Sequence, residues 1–509
     1  MLLATPLAAQ SQGPLSVIDW LDRQPSAQAP APVAPSGHDG RPATKRNIDE
    51  PAVAKTALAP NVEVQPLTQS GAREIGLVPP RVTGLPADLW QGSDIGKLET
   101  KIAKLPDLVL PAAQSLLYTI LLTEAQAPGN RTAAGDALAI ARARKLMQLG
   151  ALDPALALIE QAGVTTSPAH FDLWMQISLL TGTEDRACDK LAAAPHLTRN
   201  YGTRVFCDAR ERRWENAALT FGTAKALGLL PKDQLALLER FLDPEGFEGA
   251  PPLPVSRQMT PLMFRLYETI GEPVNTTKLP RAYAVADLRD LVGWKAQLEA
   301  AERLTRAGAL PDNRLLGLYS ERKAAASGGV WDRVSALQRF ETALASGSAE
   351  AVSKTLPTVW HRMRSAGLAV AFSELFATQL SQVKLRGKPA RIAYDVMLLS
   401  PTYEEAAARA LRSDLASQVA LGEMKPGRPA DIIHGVIYDA FSDAAPRADL
   451  VAMVKQGRLG ESILDVLRLL QTGARGNDKA LRDALATLRA LGLEDTARRA
   501  ALQTLLLEQ

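Results

Sequence analysis

The chain has 509 residues, which is long enough for several domains or for one extended helical array. Its 58 basic and 55 acidic residues give a formal charge of +3, which argues against a nucleic-acid binder with a strongly basic face. The longest apolar run, Leu108–Leu122, is too short and too interrupted to span a bilayer, so we predict no transmembrane segment and interpret the run as a buried helix.

The first ten residues, Met1–Gln10, have the composition of the end of a secretory signal peptide. An apolar stretch is followed by the small residues Ala8 and Ala9 and then by polar residues. We therefore expect a periplasmic or secreted protein. A basic region in front of the apolar stretch is missing, so a cytoplasmic protein with an apolar tail stays as the alternative.

Residues 11–85 are predicted to be a disordered or extended arm, because Pro and Ala dominate much of the segment and proline cannot donate a backbone hydrogen bond. A short apolar island at 14–22 interrupts it. Nine residues are too few to hold a helix alone in water, so the island should dock on a partner or on the body of the same chain. Its candidate docking residues are Leu15, Ile18, Trp20 and Leu21.

From residue 86 to 509 the pattern changes to amphipathic helices of ten to eighteen residues joined by short turns. Four dipeptides place a capping side chain before a proline at a predicted helix start. They are Asp153-Pro154, Ser167-Pro168, Thr260-Pro261 and Ser400-Pro401. We predict an all-α fold of antiparallel hairpins stacked as an α-solenoid or superhelix, with a possible subdivision near 245–258.

One segment of this body resembles a known repeat. Trp214-Glu215-Asn216-Ala217, followed by Phe221, Ala224 and Leu227, is similar to the second helix of a tetratricopeptide repeat, with the similarity covering residues 214–231. The resemblance implies that the small alanines allow close helix packing. The first-helix pattern of that family, Trp-x-x-Leu-Gly, is missing, and no fixed 34-residue period is present, so we predict a generic helical array of this kind.

The two cysteines lie in consecutive predicted helices. Cys188 precedes and Cys207 follows the segment 195–200, so antiparallel packing could bring the two sulfur atoms together. A disulfide would form in an oxidising compartment, whereas two buried free thiols are the alternative.

The sequence contains no recognisable catalytic, cofactor or metal motif, so we expect no cofactor. The five histidines include no pair at i and i+4. Gly92–Leu98 has three residues between its glycines, where a P-loop needs four. Gly460-Glu461-Ser462 resembles the Glu-Ser pair of soluble lytic transglycosylases, which implies Glu461 as a general acid. The Gly-Leu-Met-Gln segment of that family is missing.

These observations favour a non-enzymatic helical scaffold or adaptor that binds a protein or peptide partner, in the bacterial periplasm or cell envelope. A cell-wall-acting enzyme of the lytic-transglycosylase type is one alternative. A cytoplasmic regulatory adaptor is the other, if the N-terminal segment is retained.

Overall fold

The computed structural model describes residues 74–410, 412–427 and 429–507. Within these ranges the chain is helical, with two isolated β-bridges and no strand, so the all-α prediction is confirmed. In chain order the α-helices are α1 (Pro80–Thr83), α2 (Ile95–Lys104), α3 (Pro111–Leu122), α4 (Thr132–Leu149), α5 (Leu152–Ala162), α6 (Pro168–Thr181), α7 (Asp185–Ala193), α8 (Tyr201–Arg210), α9 (Trp214–Ala226), α10 (Lys232–Leu242), α11 (Pro261–Thr269), α12 (Trp294–Thr305), α13 (Asp312–Ser320), α14 (Val330–Ala345), α15 (Ala349–Ser365), α16 (Ala369–Leu380), α17 (Gly387–Leu398), α18 (Tyr403–Ala410), α19 (Leu415–Leu421), α20 (Ile432–Phe441), α21 (Ala448–Val454), α22 (Leu459–Gly473), α23 (Asp478–Ala490) and α24 (Glu494–Leu507). Short 3-10 helices lie at Pro128–Asn130, Pro195–Leu197, Glu245–Phe247, Thr276–Lys278 and Arg281–Leu288.

Two of the four predicted proline-linked helix starts are confirmed. Ser167 caps α6 and Thr260 caps α11, and each side chain accepts a hydrogen bond from an amide of the first turn. The other two predictions are wrong. α5 already begins at Leu152, so Asp153 lies inside its first turn. Ser400 hydrogen-bonds to Thr402 and to the Met397 carbonyl instead of capping a helix.

Helix α3 lies at the centre of the structure, as expected of the apolar run that contains it. Most of its residues are buried, on every side of the helix. Helices that are apolar all round are buried ones. The Tyr118 hydroxyl donates to the Ala307 carbonyl over 2.9 Å, and the Gln503 side chain accepts from the Ala112 amide over 3.0 Å. Parts of the chain that are far apart in sequence therefore meet around α3.

The C-terminal helices pack back onto the N-terminal ones. The Gly92 amide donates to the Gly457 carbonyl over 2.9 Å, and the Gly460 amide donates to the Leu89 carbonyl over 2.8 Å. A Cβ atom added to Gly460 would come within 2.4 Å of the Trp90 ring, so only glycine allows this approach. The chain thus closes on itself, and the predicted solenoid of stacked hairpins is not confirmed.

The buried apolar residues form two cores. The larger core combines residues between Ile75 and Ala286 with residues between Tyr394 and Leu505, so both ends of the described chain share it. It includes residues on both sides of the segment 245–258. The smaller core is confined to the middle of the chain, between Ala284 and Leu399. Burial of these side chains is the main force that holds the helices together.

Residues 74–78, which belong to the predicted arm, lie on the helical body. Val78 is fully buried, and its amide donates to the Leu122 carbonyl over 3.1 Å. The buried Arg142 guanidinium donates to three carbonyls at this point, those of Ile75, Leu121 and Thr123, over 2.6–2.8 Å. Arg142 therefore fastens the start of the described chain to the end of α3.

No helix of the described residues has the length and apolar character needed to cross a bilayer.

Candidate functional site

The predicted docking residues Leu15, Ile18, Trp20 and Leu21 lie outside the described residues. The prediction that this island docks on a surface therefore stays a prediction.

The two cysteines lie on neighbouring antiparallel helices. Cys188 is on α7 and Cys207 on α8, their Cα atoms are 5.0 Å apart, and their sulfur atoms are joined as a disulfide. Both residues are buried. The bond ties α7 to α8, the helix against which α9 packs.

Glu461 is not placed as a catalytic acid. Its side chain is 2% exposed, and both carboxylate oxygens accept from Arg458, over 2.7 and 2.9 Å, with the Lys101 ammonium 3.5 Å away. Burial raises the pKa of Glu461, but the hydrogen bonds and charges of Arg458 and Lys101 outweigh it and hold that pKa below its ordinary value. A glycosidase acid needs a raised pKa and access to substrate. Glu461 meets neither requirement.

The described residues include no group of three or more His, Cys, Asp or Glu side chains placed to hold a metal ion.

One carboxylate, that of Asp395 on α17, has a markedly altered pKa. Burial, opposed by the charge of Arg412 and reinforced by that of Asp414, raises the pKa of Asp395 from 3.8 to about 6. Burial therefore makes the ionised form of Asp395 less favourable in the folded protein than in water, and the carboxylate takes up a proton at mildly acidic pH. Arg412 also stacks over the Tyr394 ring, 4.7 Å from its centroid.

Helix α9 is the least buried of the long helices. Of its thirteen residues, only Ala217 and Ala224 are buried, and both face α8 and α10. The remaining side chains include large apolar ones: Leu219 is 72% exposed, Leu227, which ends the helix, is 66% exposed and Trp214 is 50% exposed. A water-exposed helix normally presents polar residues on its outer side.

The exposed apolar residues form a strip along α9 that is interrupted by the exposed polar side chains Glu215, Thr223 and Lys225. Residues four apart lie on the same side of a helix, which aligns Ala218 with Gly222 and Ala226, and Leu219 lies beside them. We call the strip the α9 surface. It consists of Trp214, Ala218, Leu219, Gly222, Ala226 and Leu227.

A groove of about 450 Å³ runs alongside the α9 surface. It separates α9 from the end of α7 and the following turn, and its apolar lining includes Leu191, Pro195 and Leu219. Arg213 lines it too, in ion pairs with Asp208 and Glu211. The α9 surface thus combines exposed apolar side chains with the charged side chains Glu215 and Lys225, and it has a recess beside it. Protein-binding surfaces mix apolar and polar groups in this way.

The resemblance of 214–231 to a repeat helix located this segment, but it did not predict that the segment is exposed. The two alanines are closely packed, as the resemblance implies. Part of the signal for the outer side was present in the sequence, since Leu219 lies opposite Ala217 and Ala224 on a helical projection, whereas Leu227 lies beside them. Such a projection cannot tell which side of an apolar helix is covered.

Comparison with known proteins supplies no function for this arrangement: no family model, no curated protein and no solved structure matches the chain.

Proposed function

We propose that the protein is a non-enzymatic helical scaffold whose α9 surface binds an apolar helix of a protein partner. The observation that carries this proposal is the exposure of Leu219, Leu227 and Trp214 on one helix. Several large exposed apolar side chains gathered on one helix favour a protein-binding site, whereas scattered single ones are ordinary.

A helix is the occupant that the shape of the α9 surface favours. The 13-residue helix α9 is about 20 Å long. Its small central residues Ala218, Gly222 and Ala226 would let a second helix come close, while Leu219 and Leu227 would pack between the side chains of that helix. The recess between α7 and α9 would take a large apolar side chain of the partner.

We further propose the periplasm as the compartment. The Cys188–Cys207 disulfide supports this, because structural disulfides persist in oxidising compartments and are rare in the bacterial cytoplasm. The signal-like composition of residues 1–10 supports it as well.

Site-specific photo-crosslinking in the native cell tests the proposal. A photo-reactive amino acid is placed in the full-length protein at Leu219, at Leu227, or at Leu291, which is 99% exposed and lies outside α9. We expect the same discrete adduct from positions 219 and 227 and none from position 291. The crosslinked segment of the partner, made as a peptide, should bind the wild-type protein at least tenfold more tightly than Leu219→Asp.

Three results would overturn the proposal. Adducts that are equally abundant at position 291 would show that the α9 surface is not selective. An adduct with residues 14–22 of the same chain would make the chain's own island the occupant. An adduct with a second full copy would make the α9 surface a self-association site.

A further inference from the structure

A second cavity, separate from the α9 surface, lies beside the central helix α3. This groove has a volume of about 640 Å³. Its walls come from the loop at 107–109, the first residues of the 3-10 helix Arg281–Leu288, the end of α12 and the turn after α15. Segments distant in sequence therefore build one cavity, which is where ligand sites commonly lie.

The lining of this groove carries an excess of positive charge. Arg281, Arg303 and Arg306 line it, and the carboxylate among its lining residues is Asp107, whose side chain is 68% exposed. Arg281 donates to Asp107 over 3.0 Å. We call the cavity the basic groove.

A fourth cation lies next to the basic groove. Lys145 on α4 is buried, and its ammonium donates to the Leu105 carbonyl over 2.6 Å. Burial lowers the pKa of Lys145, with the charge of Asp107 acting in the opposite direction and that of Arg281 in the same one. Lys145 is therefore within electrostatic range of the lining residues.

Backbone carbonyls hold two of the three guanidinium groups in place. Arg303 donates to the carbonyls of Thr276 and Leu279 over 3.0 and 2.5 Å. Arg306 donates to the Ala366 carbonyl over 3.1 Å. Donors fixed in this way lose little conformational freedom when they bind a ligand.

A glycine makes room for Arg306 at the edge of the groove. Gly367 has φ +71°, which favours glycine, and a Cβ atom there would lie 3.1 Å from Cδ of Arg306. The buried Glu302 forms a long ion pair with Arg306, over 3.7 Å, and also accepts two hydrogen bonds from Arg333, over 2.6 and 2.7 Å. Arg306 therefore shares the charge of Glu302 with Arg333. The guanidinium of Arg306 is 42% exposed and faces the groove.

The lining cations repel one another in the absence of a ligand. Burial, together with the charges of Arg281 and Arg306, lowers the pKa of Arg303. Like charges held close together are unfavourable, and such arrangements are concentrated at sites that bind an opposite charge.

We propose that the basic groove binds a phosphate group carried on a larger molecule. Arginine is suited to this role because its planar fork donates two parallel hydrogen bonds to phosphate oxygens. Arg281 and Arg306, from separate segments of the chain, would donate to the phosphate, and Arg303 would add charge. The groove is larger than a bare phosphate needs, so the remainder would hold the rest of a phosphate ester or of a phospholipid headgroup.

Calorimetric titration of the full-length protein with inorganic pyrophosphate at constant ionic strength tests the proposal. We expect binding by the wild-type protein that weakens at least tenfold in Arg306→Gln and in Arg281→Gln. Arg409→Gln is the matched control, since Arg409 is 70% exposed on α18 and pairs with Glu405. Arg303 is left unchanged because its carbonyl contacts support the fold. Circular dichroism melting checks that all variants fold.

Two further measurements identify the molecule that carries the phosphate and test whether the groove prefers phosphate to a carboxylate anion. Sedimentation with phosphatidylglycerol vesicles, compared with phosphatidylcholine vesicles, would assign a lipid headgroup if binding occurs and is lost in Arg306→Gln. Pyrophosphate binding without vesicle binding would assign a soluble phosphate ester. Failure to bind both pyrophosphate and vesicles, equal binding by Arg306→Gln and Arg409→Gln, or citrate binding as tight as pyrophosphate binding would overturn the proposal.

Discussion

Replacement of Arg142 by methionine tests how the start of the described chain is attached. Methionine fills much of the volume of the arginine stem but has no hydrogen-bond donor. The change therefore removes the donors to three carbonyls, those of Ile75, Leu121 and Thr123, from a site that is 1% exposed. Water has no direct route to these oxygens.

The expected loss of stability follows from the number and type of these bonds. Hydrogen bonds to a charged group contribute about 1.5–3 kcal/mol each, which gives roughly 4.5–9 kcal/mol for three. The variant also avoids the desolvation of a buried guanidinium, a penalty of several kcal/mol per ion. That penalty is visible in the native protein, where burial lowers the pKa of Arg142 to about 9. The net loss in the free energy of unfolding should be about 3 kcal/mol.

Two measurements are needed, one global and one local. Urea unfolding followed by circular dichroism gives the stability of Arg142→Met relative to Arg144→Met, an exposed arginine two residues along the same helix. Hydrogen exchange followed by mass spectrometry reports on the amides of Leu77 and Val78, which donate to the Leu122 carbonyl. We expect both amides to exchange faster in Arg142→Met alone.

An equal unfolding midpoint for the two methionine variants would refute this reasoning, if the amides of Leu77 and Val78 also remained protected. Faster exchange with an unchanged midpoint would show that the segment at 74–78 detaches locally and adds little to global stability.

Three further predictions concern buried groups. For Asp395→Asn, we expect the wild-type protein to gain stability relative to the variant, measured by urea unfolding, as the pH falls from about 6 to about 4. For the double variant Cys188→Ser/Cys207→Ser, we expect about 3 kcal/mol less stability, because the bond closes a loop with a sequence separation of 19 in the unfolded chain. Non-reducing mass spectrometry should show the two cysteine peptides joined. For Glu461→Gln, we expect a loss of about 2 kcal/mol on urea unfolding, since Arg458 and Lys101 lose their buried anionic partner and Arg458 loses one of its two acceptor oxygens. We expect no release of fragments from peptidoglycan by either protein.

The sign of the Asp395 effect follows from proton binding. The folded pKa, about 6, is above the ordinary value of 3.8, so at intermediate pH the folded state binds a proton that the unfolded state does not. Two pKa units correspond to roughly 3 kcal/mol, and partial solvent access should reduce this to about 1–2 kcal/mol. An unchanged pH dependence in Asp395→Asn, compared with the exposed control Asp443→Asn, would contradict the assignment.

The other two predictions have equally direct controls. The reduced wild-type protein should have the same stability on urea unfolding as the double cysteine variant. A difference between the two stabilities would show that the serines have an effect beyond the loss of the disulfide. Peptidoglycan release by the wild-type protein that disappears in Glu461→Gln would restore the enzyme hypothesis.

The helices were predictable from sequence because their signals are local. Ser167 and Thr260 cap helices within three residues of themselves, and the apolar run around α3 indicates a buried helix without reference to any neighbour. The same local signals misplace Asp153 and Ser400, because packing of the surrounding chain fixes where those helices begin.

The closure of the chain and the basic groove could not be predicted, because both depend on residues far apart in sequence. Nothing near Gly460 indicates that Trp90 will lie against it. Arg281 is likewise remote from Arg303 and Arg306, and only the fold brings it to the same cavity. Arg142 lies in a run of basic residues that favours an exposed face, yet it is buried, because three carbonyls lie within its reach.

The disulfide supports the part of the fold to which the exposed helix α9 belongs. A helix that buries only two alanines gains little from the hydrophobic effect, so it depends on α8 and α10 for its place. Leu219 and Leu227 are largely exposed, so they add little to the burial that holds α9 in place. The disulfide stabilises this peripheral part of the fold by another route, since it fixes α8, on which α9 packs, to α7. The proposed binding of a partner helix needs this combination, an exposed helix that is held in place by a covalently fixed neighbour.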